Sequence, residues 1–487
     1  MKKLLCLLLA ALMLLPALGC ASGGKTDAGT TAAPTTTAAP VDTTTAAPET
    51  EPPIISAALP DENYEGYNFV IACYDQTVGG TIWVEEEIGE TINDAIYDRN
   101  RLVEERFNVS VMAETLPNSG LENGVRQAVA ASDDTYALVS GHDCTLWSMT
   151  MGGNFLNLRD LKEMDFSQPW YPAYANNTYA INNRQYMFTG YVSYLALSWA
   201  PCFLVNKALA ADNGITIPYQ EVFDGKWTLD RLAELTEGVN SDLNGDGRMD
   251  DFDRYGLALN YKLYSFQGAY LDCYSRDAEG RVTLDFDKEK LVSLAEKVVA
   301  IAYGPYGYVY GAEPSDKMFL NNQSLFHYVK IQFMTSTELR ESDIEYGILP
   351  IPKWDEAQQD YVSSTSDRQF VILTSNSNPT RTAVITEALA SAGYNRVRES
   401  YFDVALQTKF VPDRESREVL DIISNTLSVD LSFLNTSAGT SGLGRVVMLA
   451  LSNGKTEFGS LFAKLIPSEQ KTVDKINAYY FKDLSAN

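Results

Sequence analysis

Residues 68–142 alternate between two hydrophobic periods, and this alternation constrains the fold more than any other feature of the chain. The segments NFVIACY (68–74), VSVMAE (109–114) and YALVSGH (136–142) have the composition of strands. Between them, TINDAIYDRNRLVEERFN (91–108) and GLENGVRQAVAAS (120–132) have the apolar spacing of amphipathic helices. The order strand, helix, strand, helix, strand predicts a parallel α/β sheet.

The N-terminus has the layout of a secretion signal. Lys2 and Lys3 precede an apolar run, Leu4 to Leu15, that is too short to span a bilayer. The signal ends in ALGC, which resembles a lipobox with Ala17 at the place where Leu is usual. We expect residues 1–19 to be removed and Cys20 to carry the lipid. An ordinary cleaved signal peptide is the alternative.

The segment after Cys20 is dominated by Thr, Ala and Pro. With one valine as its only large apolar residue up to Pro53, it cannot bury enough surface to offset chain entropy. We predict that residues 20–63 form a lipid anchor and a disordered tether. Anchor, tether and folded part together predict a lipoprotein on the outer face of the cell membrane.

The overall charge narrows the range of partners. Lys and Arg number 38 against 64 Asp and Glu, so the net charge is -26. A chain this acidic is not expected to bind nucleic acid or an anionic membrane through its general surface. The 28 tyrosines suit recognition of polar, partly apolar ligands such as sugars.

The segment DLNGDGRMDDFD (242–253) matches a calcium-binding loop. Calcium takes oxygen ligands from alternate positions of such loops, with a glycine at position 6, here Gly247. The candidate ligands are Asp242, Asn244, Asp246, Arg248 (through its backbone carbonyl), Asp250 and Asp253. Asp253 stands where EF-hands have Glu. The alternative is a solvated Asx/Gly turn without an ion.

The surroundings of this loop predict a structural role for the ion. The segment KWTLDRLAELTEGV (226–239) is a predicted helix with Thr228 as its N-cap, and YGLALN (255–260) is a predicted strand. A sensor needs two helices that open on binding, whereas helix, loop and strand give nothing to open. Ca²⁺ would therefore fasten a long connection.

The cysteines give no metal or redox motif. Cys73, Cys144, Cys202 and Cys273 remain in the folded part, far apart in sequence and without a CxxC. Both disulfides and buried free thiols are compatible with this pattern.

Several longer segments resemble the extracellular solute-binding proteins of ABC importers, in the sugar-binding group related to maltose-binding protein. They are INDAIYDRNRLVEERFNVSV (92–111), QYMFTGYVSYLALSWAPCFLVNKALAADNGI (185–215) with GKWTLDRLAELTE (225–237), and YGILPIPKWDEAQQDYVSS (346–364). Their order and spacing cover nearly the whole mature chain.

The resemblance implies an α/β, two-lobed periplasmic-binding-protein-like fold (type II), with a hinge that the chain crosses about three times. Residues 64–190 and 348–395 would form lobe 1, and residues 195–344 and 400–487 would form lobe 2. A carbohydrate, by the family's default a mono- or oligosaccharide, would bind between the lobes of a monomer, and we expect an oligosaccharide. The subunits of an ABC permease would recognise the closed conformation.

Candidate ligand-binding residues follow from the ends of strands and from the crossovers that face the cleft in this fold. They are Asp75, Asp143, Trp147, Tyr191, Tyr194, Tyr328 and Asp367. Trp199 lies in an apolar run, so we expect it in the core. His142 and His327, the only histidines, are expected to be satisfied polar residues.

Two other classes of protein stay open. A surface carbohydrate-active enzyme needs two facing carboxylates, and 64 acidic residues single out no pair. The sequence has no HExxH and no GxSxG, which argues against zinc peptidases and serine hydrolases. A calcium-dependent surface interaction protein of the dockerin kind would need two calcium loops, and the sequence contains one. We therefore expect no enzymatic activity.

Overall fold

The computed structural model describes residues 54–482, apart from 57, 118–119, 261–263, 311–315, 366–367, 407–413 and 435–441. The expected signal peptide, the lipidated Cys20 and most of the tether lie outside the described residues, as does Asp367.

The strands are β1 (Tyr67–Cys73), β2 (Val109–Thr115), β3 (Leu138–His142), β4 (Pro201–Asn206), β5 (Tyr255–Asn260), β6 (Ser275–Arg276), β7 (Val282–Thr283), β8 (Gly307–Tyr310), β9 (Ser324–Lys330), β10 (Tyr346–Leu349), β11 (Ser363–Ser364), β12 (Arg368–Val371) and β13 (Leu427–Ser428). The helices are α1 (Gln76–Gly80), α2 (Thr91–Phe107), α3 (Leu121–Ala131), α4 (Asp143–Thr150), α5 (Ala173–Tyr179), α6 (Leu195–Ser198), α7 (Lys207–Asp212), α8 (Tyr219–Phe223), α9 (Leu229–Thr236), α10 (Tyr264–Gly268), α11 (Lys288–Ala302), α12 (Asp316–Leu320), α13 (Thr337–Glu341), α14 (Pro379–Ala392), α15 (Arg398–Leu406), α16 (Arg414–Asn425), α17 (Leu431–Leu434), α18 (Val446–Asn453) and α19 (Gly459–Tyr480).

The first sheet confirms the alternation predicted for residues 68–142. Its order is β12-β3-β1-β2, and β1 pairs in parallel with both β2 and β3. The two predicted helices are α2 and α3, which connect these strands. Asn108 ends α2 in a left-handed conformation (φ 49°), which Asn tolerates, and the chain turns directly into β2. β12 adds an antiparallel edge, with Arg368 opposite His142.

The second sheet has the order β10-β4-β9-β5-β8. β5, the strand predicted at residues 255–260, pairs in parallel with β8 and β9. β4 runs antiparallel to both of its neighbours, β9 and β10. Every residue of β4 is buried, which is why its sequence, PCFLVN, is nearly continuously apolar.

The second sheet extends further along the chain than the sequence indicates. In β10, Ile348 lies opposite Leu204 and Leu349 lies opposite Phe203. The predicted boundary places residue 348 at the start of a lobe 1 segment, whereas in the structure this residue pairs within the second sheet. All four residues of β10 are buried, and pairing with β4 keeps them in the second sheet up to Leu349.

Within the described residues, the chain passes between the two sheets three times. The first connection lies between β3 and β4, and the second lies between β10 and β12. The third follows α14, because α14 packs against α2 beside the first sheet whereas α18 packs against α11 beside the second. The repeated crossing agrees with the hinge that the resemblance implies.

The end of α19, in the segment 400–487 that is predicted for lobe 2, contacts residues of the segment 64–190 that is predicted for lobe 1. Tyr480 stacks on Trp147, with ring centroids 6.3 Å apart, and packs edge-on against Tyr186 at 5.4 Å. The backbone carbonyl of Tyr480 also accepts a hydrogen bond from Asn182 Nδ2 at 2.9 Å. These aromatic contacts attach the last helix to the segment that follows the first sheet.

The cysteines of the folded part are free thiols. This resolves the alternative that the sequence leaves open for Cys73, Cys144, Cys202 and Cys273. Burial raises the pKa of Cys73 to about 12, so its thiol is protonated and unreactive at neutral pH.

Glu387 is a carboxyl group in the interior of the protein. It lies on α14, is 2% exposed, and accepts hydrogen bonds from Trp170 Nε1 at 2.9 Å and from the Tyr171 hydroxyl at 2.6 Å. Burial raises its pKa from 4.5 to about 7, and the two hydrogen bonds only partly oppose that effect. The carboxyl therefore holds a proton in the folded state at a pH where the unfolded chain releases it.

This raised pKa predicts how stability depends on pH. The group contributes its full stability below the unfolded pKa of 4.5 and loses it as the pH rises through about 7. Glu387→Gln cannot ionise, so the unfolding free energy of the wild type relative to this variant should fall by about 3 kcal/mol between these pH values. Urea denaturation at several pH values measures it, with Glu356→Gln at an exposed position as control. A difference that stays constant with pH would contradict the assignment.

Candidate functional site

The last residues of two strands, one from each sheet, come within electrostatic reach of each other. β3 ends at His142 and β9 ends at Lys330. Lys330 and Arg445, which directly precedes α18, both act to lower the pKa of the His142 side chain. Ends of strands are where α/β folds place their ligands, so this meeting point is the first candidate site.

His142 is held by its neighbour Asp143. Asp143 is wholly buried at the start of α4, whereas the side chain of His142 is 46% exposed. His142 Nδ1 lies 2.8 Å from Asp143 Oδ1, and that oxygen also accepts a hydrogen bond from the backbone N–H of Cys144. The hydrogen bond to Asp143 raises the pKa of His142, against the opposing effects of burial and of the two cations. The contact with Asp143 fixes the orientation of the His142 ring, and it involves Nδ1 but not Nε2.

Two aromatic rings of the site carry cations on their faces. Lys330 Nζ lies 3.3 Å from the centroid of the Trp199 ring, and the guanidinium of Arg445 lies 4.3 Å from the centroid of the Phe433 ring. Such pairs are favourable where the cation is partly desolvated. Among the described residues, Nε of Arg445 is buried without a hydrogen-bond partner.

One sulfur contact joins these pairs to the end of β3. Cys144 Sγ lies 3.9 Å from the backbone carbonyl oxygen of Phe433. We call the group the strand-end cluster; its members are His142, Asp143, Trp199, Lys330, Phe433 and Arg445. It offers hydrogen-bond donors of positive charge, one buried carboxylate and a half-buried indole.

Together with Cys144, the cluster contains a grouping of side chains of the types that hold metal ions. His142, Asp143 and Cys144 place three ligand atoms within 4.8 Å of one another, the one such grouping in the part of the chain that the structure describes. Burial raises the pKa of the Cys144 thiol far above its usual range. A protonated thiol is neither a nucleophile nor a good metal ligand.

The predicted ligand-binding residues do not all meet here. Asp143 belongs to the cluster, whereas Asp75 caps α1 by accepting from the Val78 N–H at 2.9 Å. Trp147 is 2% exposed and stacks on Tyr480, so its ring is covered by other side chains. Tyr328 is 8% exposed and packs against Phe203. In this structure Trp147 and Tyr328 are packed side chains, and their ligand-binding role stays a prediction.

The two tyrosines of the first connection also have internal partners. The Tyr191 hydroxyl lies 2.6 Å from Ser424 Oγ, and the residue is 4% exposed. Tyr194 is half-buried, with its ring 4.7 Å from that of Tyr401. Both side chains pack where the chain passes between the sheets.

Of the six members of the cluster, only Asp143 was among the predicted ligand-binding residues, so sequence reasoning missed five. Trp199, expected in the core, is half-buried and lies under Lys330. The position of Lys330 at the end of a strand was the available signal for that residue. No sequence pattern brings Phe433 and Arg445 to the end of β3, because that proximity arises only from the packing of α17 against α4.

The predicted calcium loop has the helix–loop–strand setting expected of it. Thr228 caps α9 by accepting from the Arg231 N–H, α9 precedes the loop, and β5 follows it. Within the loop, Asp242 accepts from the N–H groups of Gly245 and Gly247 at 2.6 and 2.8 Å. All of the predicted ligand atoms of the loop are oxygens, as calcium requires. The carboxylates are not gathered as closely as the 4.8 Å grouping at His142.

Comparison with protein-family models and with curated proteins returned no match. Solved structures do match. A sugar transporter from Rhizobium etli in an open conformation shares 11% identity, with 86% of this chain and 100% of that chain covered and a TM-score of 0.52. UspC from Mycobacterium tuberculosis shares 12% identity over 85% of this chain and 100% of that chain, with a TM-score of 0.52.

A third match is the GacH receptor of Streptomyces glaucescens, solved unliganded and with acarbose. It shares 11% identity, covers 86% of this chain and 99% of its own, and has a TM-score of 0.50. At such identities the likeness shows the fold. The chain has the two-lobed, type II fold of solute-binding proteins, as the resemblance implies.

Proposed function

We propose that this protein is the substrate-binding component of an ABC importer, that it captures a carbohydrate between its two sheets, and that it is not an enzyme. The observation that carries the proposal is the strand-end cluster, which draws side chains from the ends of both sheets to one place. A ligand bridging them would favour the closed arrangement of the lobes, and permease subunits would recognise that arrangement.

The side chains of the cluster suit a sugar. An indole face binds the apolar C–H surface of a pyranose ring, and donors such as Lys330, Arg445 and His142 bind its hydroxyl groups. The fold does not restrict the ligand to sugars. UgpB from Mycobacterium tuberculosis, solved with glycerophosphocholine, matches with 15% identity over 86% of this chain and 99% of that chain, and a TM-score of 0.51.

The first experiment is a ligand screen. We expect one or more oligosaccharides to raise the melting temperature of the mature chain, and to be recovered unaltered after incubation. Glycerophosphocholine belongs in the panel as a non-sugar probe. A shift with glycerophosphocholine alone would show that the substrate is not a carbohydrate. Breakdown of a bound glycan would show that the protein is an enzyme.

The identified glycan then tests the cluster. Trp199→Ala removes the indole face, and we expect affinity by calorimetry to fall about tenfold or more, as for central aromatic contacts. Trp354→Ala is the matched control, because Trp354 is also half-buried, with Lys297 Nζ 4.6 Å from its ring centroid, and is not part of the cluster. Equal losses in both variants would show that the cluster is not the binding site.

The calcium loop has a structural role in this proposal. Ca²⁺ held by Asp242, Asn244, Asp246, Asp250, Asp253 and the carbonyl of Arg248 would fasten the connection from α9 to β5, away from the ligand. Asp246→Ala should lower the melting temperature in calcium by about 1–2 °C, roughly what loss of 1–2 kcal/mol produces in a chain of this size, and leave glycan affinity within a few-fold.

Asp251→Ala is the control for this calcium prediction, since Asp251 is an exposed residue of the same loop at a position that supplies no ligand. Differential scanning calorimetry with calcium and with a chelator measures both variants. Lost glycan affinity at an unchanged melting temperature would contradict the structural role.

The N-terminal segment places the protein outside the cell in this proposal, with Cys20 lipidated and anchored to the outer face of the membrane. None of the helices that the structure describes has the length and apolarity to span a bilayer. Cys20→Ser should move the protein from the membrane fraction to the medium, whereas Cys6→Ser, inside the signal, should not. Fractionation of cells measures this; membrane retention of Cys20→Ser would refute the lipid anchor.

A further inference from the structure

A pocket of about 580 Å³ shares no lining residue with the strand-end cluster. Five segments line it: residues 174–178 of α5, residues 268–272 from the end of α10 onward, Lys290 of α11, residues 355–362 of the second connection, and residues 428–430 from the end of β13 onward. The volume is in the range that holds a small organic ligand. We call it the carboxyl pocket, after Asp272 and Asp430 in its wall.

Asp430 is a buried carboxylate with half of its acceptor capacity unused. The residue is 5% exposed. Its Oδ1 accepts hydrogen bonds from the N–H of Ser432 at 2.8 Å and of Phe433 at 3.2 Å, and from the Ser432 hydroxyl. Its Oδ2 has no partner among the described residues. A buried acceptor without a donor is costly, so this oxygen points to a missing donor.

Asp272 adds a second carboxyl group beside it. Asp272 is open to solvent in the pocket, and it accepts a hydrogen bond from the Tyr274 N–H at 2.9 Å. Protein surrounds it closely enough that desolvation raises its pKa, and desolvation together with the charge of Asp272 raises that of Asp430. Positive charge brought to this pair would therefore be stabilised.

The cations of the protein near the pair are turned to other partners. The charge of Arg276 acts to lower the pKa of Asp272. Its guanidinium, however, donates hydrogen bonds to the carbonyls of Ser275 at 3.4 Å and Thr178 at 3.2 Å. Lys290 lines the pocket with its ammonium 5.8 Å from the centroid of the Trp354 ring. The lining also contains Asp355, so its carboxyl groups outnumber its one lysine.

The arrangement suits an organic cation better than a metal ion. Calcium requires about six to eight oxygen ligands, and the carboxyl groups in the lining are those of Asp272, Asp355 and Asp430. An ammonium group needs only about three acceptors. The ring of Tyr174, 40% exposed at the pocket, offers an aromatic face that favours a cation.

We propose that the carboxyl pocket binds a small organic cation through a primary ammonium group, with Asp430 Oδ2 and the Asp272 carboxylate as acceptors. The ligand enters a site separate from that of the transported carbohydrate.

The test uses the full chain and two pairs of probes that differ only in charge: putrescine against 1,4-butanediol, and glucosamine against glucose. Measurements are made at about 0.15 M salt, where general attraction to an acidic surface is largely screened. We expect at least one amine to raise the melting temperature by about 1–2 °C at ten times its Kd, and its hydroxyl counterpart to leave it unchanged.

Two variants locate the effect. Asp430→Asn retains an oxygen to cap Ser432 and Phe433 but removes the charge, and we expect the amine shift to disappear. Ala357→Trp, at an exposed position in the lining, blocks the pocket without touching the carboxyl groups and should weaken binding more than tenfold. Asp285→Asn, an exposed acid outside the pocket, should change nothing.

Each other outcome overturns the proposal. If no amine shifts the melting temperature, or if the shift persists in both Asp430→Asn and Ala357→Trp, the pocket does not bind organic cations. A shift with calcium that Asp430→Asn abolishes, and no shift with the amines, would make it a metal site. A shift of equal size with both members of a pair would assign the pocket to hydroxyl ligands.

Discussion

The arrangement of the two sheets depends on one contact between main chains. Gly393 lies directly against the backbone carbonyl of Tyr191, so close that a Cβ at position 393 would overlap the oxygen. Tyr191 belongs to the first connection between the sheets, and Gly393 stands where the third one begins. The two connections therefore meet at one place, and only a residue without a side chain lets them do so.

The surrounding side chains hold this meeting point in position. Arg99, a fully buried residue of α2, donates to the carbonyls of Val192 at 2.7 Å and of Ile82. Burial lowers its pKa to about 9, so the guanidinium remains charged at neutral pH and is satisfied by backbone oxygens. From the other side, Arg398 Nε and the Tyr191 hydroxyl both contact Ser424 Oγ, at 3.0 and 2.6 Å. A π-helical turn at Gly393–Val397 separates α14 from α15 at this point, as is common at functional positions.

The sequence predicts those elements whose local pattern and whose tertiary environment agree. The strands and helices of residues 68–142 appear within a few residues of their predicted bounds, because one face of each is apolar at the correct period. Thr228 caps its helix as expected, because capping is a local interaction. The end of the second sheet at Leu349 was not predictable in this way, because only pairing with β4 keeps that residue in the sheet.

Which aromatic side chains are available to a ligand depends on long-range packing. Trp147 lies within α4 and Trp199 directly follows α6. Trp147 is covered by Tyr480, more than three hundred residues away in sequence, whereas Trp199 is half-buried. The chemical type of a residue identifies it as a candidate for ligand binding. Whether the ring of Trp147 is accessible depends on α19, which carries Tyr480. The same holds for Arg445, whose place beside His142 depends on the contact between α17 and α4.

The charge of the whole molecule says little about the charge at either site. The chain carries a net charge of -26, yet the strand-end cluster gathers Lys330, Arg445 and a histidine whose pKa is raised. The carboxyl pocket instead brings two acidic side chains together. Desolvation raises the pKa of both carboxyl groups, which shows that their charged forms are disfavoured there. Exposed charges farther than about 8 Å away are screened at physiological salt, so a bound ligand responds to these local groups. Repulsion within an acidic chain favours spreading its carboxylates apart, and the proximity of Asp272 to Asp430 is therefore a feature that packing imposes against the electrostatics.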